Sequence, residues 1–194
     1  MTDDAKMNYK TADNIFYSVV GKHGGETVEE IISRKQKEVE LCGYSLWSAH
    51  IDQKSVEQVW ALSKDDEVYV LCKINKDAKD PVRQGDSPYY ATTQFGPKGE
   101  EDIPKDIKTS FTEGKKYQAY VVEEYEMLDA SIEFDFGKYE TMLANGNFAS
   151  FAERFKFSKF QNTYGKKNVT IDAECSKTIG LIMKLKYPFV VELK

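Results

Sequence analysis

Two stretches of the chain combine residue types that could bind an anion. The first, GKHGGET at residues 21–27, follows an apolar run and precedes a helical pattern. Glycines at a strand-to-helix turn expose backbone N–H groups and a helix N-terminus, which together favour an anion. Lys22 and His23 could add positive charge beside Gly24 and Gly25. Because the spacing matches neither G-x-x-x-x-G-K-[ST] nor G-x-G-x-x-G, a flexible turn remains the alternative.

The second stretch, RFKFSKFQNTYGKK at residues 154–167, holds five basic residues and no acidic one, interleaved with aromatic rings. Cations contact phosphates and rings stack on unpaired bases, so this mixture favours binding to single-stranded nucleic acid or a flipped base. The candidate contacts are Arg154, Lys156, Lys159, Tyr164, Lys166 and Lys167. The F-K-F alternation also fits an ordinary strand or helix with phenylalanine inward and lysine outward.

Patterns for catalysis and metal binding are weaker. As a general base, His50 would need a carboxylate or nucleophile beside it, and a structural histidine is the alternative. No G-x-S-x-G motif occurs, and two histidines without a metal-like cluster predict no metal site. The sequence predicts no cofactor and leaves open whether the protein is an enzyme.

Charge is unevenly distributed along the 194 residues, whose formal net charge is −5. Residues 154–194 carry nine Lys or Arg and three Asp or Glu, whereas residues 1–153 carry 18 and 29. This division is compatible with a polyanion-binding face on an acidic body. It is equally compatible with two halves that attract each other.

The remaining composition indicates a soluble, cytoplasmic protein. The three cysteines are far apart, lie beside apolar residues and form no CxxC pair, which predicts buried thiols in a reducing compartment. No apolar run reaches the roughly 20 residues of a membrane-spanning helix, and no signal-peptide pattern is visible. We therefore expect no membrane partner.

The first part of the chain alternates strand and helix patterns. Strands are predicted at 13–20, 44–51 and 67–74, with helices at 27–42 and in KSVEQVWALS. Thr27 and Glu30 form a capping box, and Gly43 fits the left-handed position that ends a helix. Lys35 falls within the apolar face of this helix, where its long stem could carry the charge out to solvent.

The rest of the chain is predicted to be strand-rich after a long loop region at about 75–115, which contains one plausible strand, PYYATTQF. A strong strand is expected at 116–128, and short helices in FGKYETMLANG and NFASFAERF. NVTID and YPFVVEL are predicted strands, and TIGLIMKLK is helix or strand. The sequence thus predicts an N-terminal tail at 1–14 and one α+β domain at 15–194. Its core would be a mixed sheet or small β-barrel with three or four flanking short helices.

About a third of the chain resembles the PUA-like superfamily, which includes the EVE, YTH and ASCH domains. The matching stretches are SLWS, VEQVWAL, DEVYVLCKIN and PKGEEDIP. The resemblance implies a small β-barrel with flanking helices and a pocket that takes a modified or flipped base. It implies Trp47 and Trp60 as candidates for the aromatic wall.

These observations lead to a first functional hypothesis, a non-catalytic domain that binds nucleic acid or a modified nucleotide, with RNA or single-stranded DNA as possible partners. A second is an enzyme for a phosphorylated or nucleotide substrate, in which the 21–25 turn holds the phosphate and His23 or His50 is the acid or base. A third is a protein-interaction module that docks a partner through 75–115 and masks the partner's basic face with its own acidic one.

Overall fold

The computed structural model of the chain describes residues 6–77, 79, 91–109, 117–157 and 162–194. Three helices and ten strands form within these ranges. The strands are β1 Asn14–Val20, β2 Ser45–Ala49, β3 Val68–Ile74, β4 Thr93–Gly96, β5 Gly99–Asp102, β6 Tyr117–Asp135, β7 Tyr139–Met142, β8 Phe148–Ser150, β9 Thr163–Lys167 and β10 Ser176–Leu193. The helices are α1 Val28–Cys42, α2 Gln53–Trp60 and α3 Phe151–Phe157. None of these helices is long and apolar enough to span a membrane.

All ten strands belong to one open, mixed sheet. Its order is β2-β6-β10-β3-β1-β9-β7-β8, and the β4–β5 hairpin joins it through the pairing of β4 with the end of β10. β1 and β3 run parallel, and the other recorded pairs are antiparallel. The predicted α+β class is confirmed, and the mixed sheet is the one of its two predicted architectures that forms.

Local sequence signals correctly predict the first half of the fold. The order β1-α1-β2-α2-β3 is as expected, because each element has a clear apolar period. At the start of α1, the Thr27 hydroxyl accepts the Glu30 N–H at 3.2 Å while the Glu30 carboxylate accepts the Thr27 N–H at 2.8 Å. Gly43 ends the helix at φ 80°.

Several predictions for the second half are wrong. FGKYETMLANG forms β7 and a turn instead of a helix, because Tyr139 and Thr141 alternate inward and pairing with β8 and β9 satisfies the backbone. In NFASFAERF, the helix begins only at Phe151, after the short strand β8. NVTID forms no strand, whereas TIGLIMKLK and YPFVVEL both lie in β10.

Two apolar clusters lie on opposite faces of the central strands. One contains Phe16, Tyr120 and residues of α1 and α2, and the Phe16 and Tyr120 ring centroids are only 4.8 Å apart. Since β3 and β10 separate their strands in the sheet, this contact requires strong curvature. The other cluster contains Phe136 and Phe151, with Tyr9 from the segment before β1.

A third cluster lies beneath residues 91–109, where Leu46, Ile107 and Val191 are buried together. Cys72 and Cys175 are buried and Cys42 is half-buried, and all three are free thiols. Burial was predicted at all three positions, so it is confirmed at the first two. Burial also raises the pKa of the Cys72 thiol, which keeps it protonated.

The contact between α3 and β9 leaves no room for a side chain at Gly165, because an added Cβ would stand 2.0 Å from the Phe151 ring. We expect Gly165→Ala to lower the free energy of unfolding by about 1–3 kcal/mol, the usual cost of overpacking. Chemical denaturation followed by circular dichroism would measure this. In a Phe151→Leu background the cost should fall, and strictly additive effects would contradict the proposed clash.

Candidate functional site

The glycine turn between β1 and α1 satisfies its own backbone. His23 and Glu26 exchange both backbone hydrogen bonds, at 3.1 and 3.0 Å, with Gly24 and Gly25 at φ 64° and 78° between them. The Glu26 carboxylate accepts two hydrogen bonds from Arg34, at 2.7 and 3.0 Å. Lys22 and His23 are exposed. This geometry fits the turn interpretation, and the N-terminal N–H groups of α1 already have the Thr27 and Glu30 side chains as a capping box.

The basic and aromatic stretch 154–167 is divided between two faces of the sheet. Tyr164 is buried in the first cluster, where its hydroxyl donates to Asn14 Oδ1 at 2.6 Å. Phe151 of α3 covers the opposite face at Gly165, so α3, which carries Arg154 and Lys156, lies on that face. Tyr164 is therefore a core residue, and in α3 Phe155 is half-buried while Lys156 is exposed; the remainder of the F-K-F alternation lies outside the described side chains.

The other basic candidates of this stretch have different positions. Lys166 is exposed and Lys167 is half-buried at the end of β9, and Lys159 lies outside the described residues. Lys166 pairs with Asn14 at the start of β1. The turn at 21–25 follows the other end of β1, whose seven residues span about 20 Å. These two predicted sites are therefore separated by the length of a strand.

The tryptophan and histidine side chains that were predicted to bind a ligand contact other parts of the chain. Trp47 is half-buried, with its ring 6.1 Å from that of Tyr125. Trp60 donates its indole N–H to the Val190 carbonyl at 2.8 Å. The exposed His50 lies with its ring 5.1 Å from that of Tyr117. Trp47 and Trp60 both pack against the first apolar cluster, which also contains Tyr164.

Ion pairs within the chain neutralise part of the charge asymmetry. Lys184 of β10 lies 3.5 Å from Glu123 and 3.8 Å from Glu67, and Lys194 lies 3.6 Å from Glu100. Each pair joins a base of the C-terminal region to an acid of the preceding region. These contacts support the interpretation that the two halves attract each other.

A groove forms elsewhere, between the β4–β5 hairpin and an irregular part of β10. Pro97 and Lys98 connect the paired residues Gly96 and Gly99, and proline suits the first central position of such a turn. Opposite, the register of β10 shifts between Leu185 and Val190. Within that shift the Tyr187–Pro188 peptide is cis and Phe189 has φ 70°. A bulky residue rarely adopts positive φ, and such outliers are concentrated at binding sites.

The groove has a volume of about 190 Å³, below the roughly 300–1,000 Å³ of sites that enclose a whole drug-sized ligand. It therefore suits one side chain or one ring. Tyr187, Pro188 and Val191 form one wall, and the hairpin residues Gln94, Lys98 and Glu101 face them.

The groove offers two side-chain hydrogen-bond acceptors, the amide oxygen of Gln94 and the carboxylate of Glu101. Gln94 is only 8% exposed, and its Oε1 has no hydrogen-bond partner within the described ranges. Its Nε2 is 3.5 Å from the Tyr44 hydroxyl. The Glu101 carboxylate is exposed and makes no ion pair in the described part of the chain. An unsatisfied buried amide is unfavourable by about 1–3 kcal/mol, so a ligand that donates to it gains affinity.

The aromatic wall attracts positive charge. Lys98 Nζ lies 5.2 Å from the centroid of the Tyr187 ring, which is a cation–π distance. Together, a ring face, an amide oxygen and a carboxylate recognise a cation with several N–H donors. The described lining contains no histidine, serine, threonine or cysteine, and so no hydroxyl or thiol nucleophile paired with a histidine base.

Neither Gln94 nor Tyr187 was singled out by sequence analysis. Two sequence signals could have indicated this region. One is the PKGEEDIP stretch, which belongs to the PUA-like resemblance, and the other is Pro188 within the predicted strand YPFVVEL, since a proline there marks an irregularity. Within the described ranges, no three His, Cys, Asp or Glu side chains could together hold a metal ion.

Helix α1 carries a charge cluster made of the half-buried Arg34 and the buried Lys35 and Glu38. Lys35 is 4% exposed, so the prediction that its charge reaches solvent is wrong. Its ammonium donates to Glu38 Oε2 at 2.9 Å and to the Lys108 carbonyl. Glu38 Oε1 also accepts from Arg34 at 3.3 Å and from the Lys108 N–H at 3.2 Å. The cluster thereby fastens residues 103–109, which follow the hairpin, to α1.

Comparison with known proteins assigns this chain to no family. The resemblance to the PUA-like superfamily therefore remains a prediction, and the evidence for function is the geometry described above. No protein-family model, curated protein or solved structure matches the chain.

Proposed function

We propose that this protein is a non-catalytic interaction module that binds a basic segment of a partner protein at the groove between the hairpin and β10. The observation that carries the proposal is the buried Gln94 amide, whose oxygen has no hydrogen-bond partner in the described residues and which lines the groove together with Tyr187. A lysine or arginine side chain supplies both the N–H donors and the positive charge that this lining recognises.

The charge of the hairpin supports the same ligand class. All four residues of β5 are exposed, and three of them, Glu100, Glu101 and Asp102, are acidic. The whole chain has a net charge of −5. Acidic groups at the entrance attract basic segments and disfavour phosphates, which affects both association rate and specificity.

Lys98 is an internal example of the proposed ligand. Its ammonium already lies over the Tyr187 ring, where a partner's cation would bind. An incoming lysine or arginine would displace this exposed side chain, which can move back into solvent. The proposal thus gives Lys98 the role of a competitor.

The competing proposal is a nucleotide or nucleic-acid ligand in a PUA-like, cytoplasmic domain. Its support is that Tyr187 could stack on a base while Gln94 bonds the edge of that base. Lys98 would then contact phosphate and assist binding. The two proposals therefore predict opposite effects of removing the Lys98 charge.

We expect Lys98→Ala to tighten binding of a labelled octapeptide of alternating arginine and threonine by about three- to tenfold, because the competing cation is lost. Fluorescence anisotropy at about 0.15 M salt measures this with long-range attraction screened. Lys105→Ala is the matched control, since Lys105 is an exposed lysine shortly after the hairpin.

The same titration with AMP and with a single-stranded oligonucleotide tests the alternative. Stronger peptide binding by Lys98→Ala, but not by Lys105→Ala, supports the interaction module. Measurable binding of either nucleotide probe that Lys98→Ala weakens would overturn it in favour of a nucleotide site. Absence of peptide binding by both the natural protein and Lys98→Ala would also overturn it.

A further inference from the structure

The outer edge of β5, which has no partner strand among the described residues, indicates how a basic segment could bind beside the groove. Among the described residues, β5 pairs with β4 alone, and all four of its residues are exposed. An unpaired strand edge presents backbone N–H and C=O groups that an extended peptide can pair with. The hairpin thus offers a backbone template next to the acceptor-lined groove.

Residues on one face of the hairpin lie in rows across its strands. Gln94 is directly opposite Glu101 in the register of β4 and β5, and both line the groove. A strand added outside β5 would extend this row by one residue, with its side chain about 5 Å from that of Glu101. An arginine there is long enough to reach along the row toward Gln94.

We propose that a partner's extended basic segment adds to β5 as a further strand and places one arginine in the groove. This inference rests on the proposed function and specifies its binding mode. The arginine guanidinium pairs with the Glu101 carboxylate, donates to the Gln94 amide oxygen and covers the Tyr187 ring. Its planar fork suits a carboxylate and an aromatic face at once, which favours arginine over lysine.

Charge argues against a second copy of this chain as the added strand. Glu100, Glu101 and Asp102 are consecutive, so two β5 strands side by side would bring like charges together. Acidic residues on an edge are a common protection against self-pairing. If the added strand is basic, these acidic residues form cross-strand ion pairs with it. The segment that fits this edge is therefore a basic segment of another protein.

The test compares three forms of the arginine–threonine octapeptide with the full chain. One is unmodified, and the other two carry N-methyl groups on alternate residues, either at the threonines or at the arginines. Alternate residues of a strand direct their N–H groups to opposite edges, and only one edge of an added strand faces β5. We therefore expect one methylated peptide to bind at least tenfold more weakly than the unmodified peptide. The other should bind within about threefold of it. The charge is equal in all three.

Two further measurements locate the contact. Hydrogen exchange of the β5 amides should slow when the unmodified peptide is bound. Glu101→Gln should weaken binding at least fivefold, whereas Glu40→Gln, at an exposed position on α1, should not change it by more than about twofold. Glu101 is exposed, so its replacement leaves the fold intact.

The outcomes separate the two proposals. If all three peptides bind equally, or only the unmodified peptide binds well, or β5 exchange is unchanged, strand addition is wrong while a basic-segment module stands. If Glu101→Gln and Glu40→Gln weaken binding equally, the arginine position is wrong. If no peptide binds, the proposed function fails as well.

Discussion

Replacing Glu38 by alanine is expected to lower the free energy of unfolding by about 3–5 kcal/mol at neutral pH, as removal of one partner from a buried ion pair does. The variant leaves the Lys35 ammonium buried, and it removes one acceptor of Arg34 and the side-chain acceptor of the Lys108 N–H. For a chain of this length the melting temperature should fall by roughly 10 °C. Denaturant titration and calorimetry measure both quantities.

Two other variants establish that burial of the charge is the cause. Glu40→Ala on the same helix removes an exposed carboxylate and should change stability by no more than about 0.5 kcal/mol. The double variant Lys35→Met, Glu38→Leu removes both charges and should recover most of the loss, since apolar replacements of a buried pair are often neutral. A double variant as unstable as Glu38→Ala would contradict this explanation.

The stability of the natural protein relative to Lys35→Met is expected to rise by about 2 kcal/mol between pH 8 and pH 10. Burial lowers the pKa of Lys35 from 10.5 to about 8, so in this window the unfolded chain binds more protons than the folded one. Stability increases with pH under that condition. Denaturant titrations of both proteins at several pH values would measure the difference.

The comparison with Lys35→Met is needed because other titratable groups lower the free energy of unfolding as the pH rises. Burial raises the pKa of Tyr17, Tyr69 and Tyr139 to about 12, and it raises that of the Cys72 thiol. These groups keep their protons when folded and lose them when unfolded, so their contribution to stability is lost as the pH rises. Both proteins share them, and parallel pH curves would show that Lys35 is not responsible.

The charge cluster and the groove belong to the same part of the fold. Residues 91–109 cover the third apolar cluster, with the hairpin at one end and Lys108 fastened to α1 at the other. A buried cluster of charges contributes little net stability but imposes a defined arrangement. We infer that it fixes the path of the segment that carries the hairpin.

Elements with complete local signals were predictable from sequence. α1 has a capping box, an apolar face and a terminal glycine, and the structure contains all three. A strand was expected at 116–128, and β6 begins there but continues to Asp135. By contrast, FGKYETMLANG has helix-like spacing over a short length, and pairing of β7 with β8 and β9 outweighs that weak preference.

The candidate site was not predictable in the same way. Gln94 and Tyr187 are distant in sequence and line the same groove because β4 pairs with the end of β10. Neither residue belongs to a motif, and a buried amide without a partner is visible only once every neighbour is known. Conversely, the 154–167 stretch looked like a binding surface because sequence order does not reveal that Tyr164 and α3 belong to opposite faces.

By itself, the sequence determined the α+β class, the first five elements and the burial of two thiols, because hydrophobic period, capping and turn residues act over only a few positions. The tertiary structure alone decided which strands are neighbours, and therefore that Lys35 is enclosed with Glu38 and that Gln94 and Tyr187 line one groove. Strand pairing and burial depend on contacts between residues far apart in the chain, and local patterns carry no information about those distances.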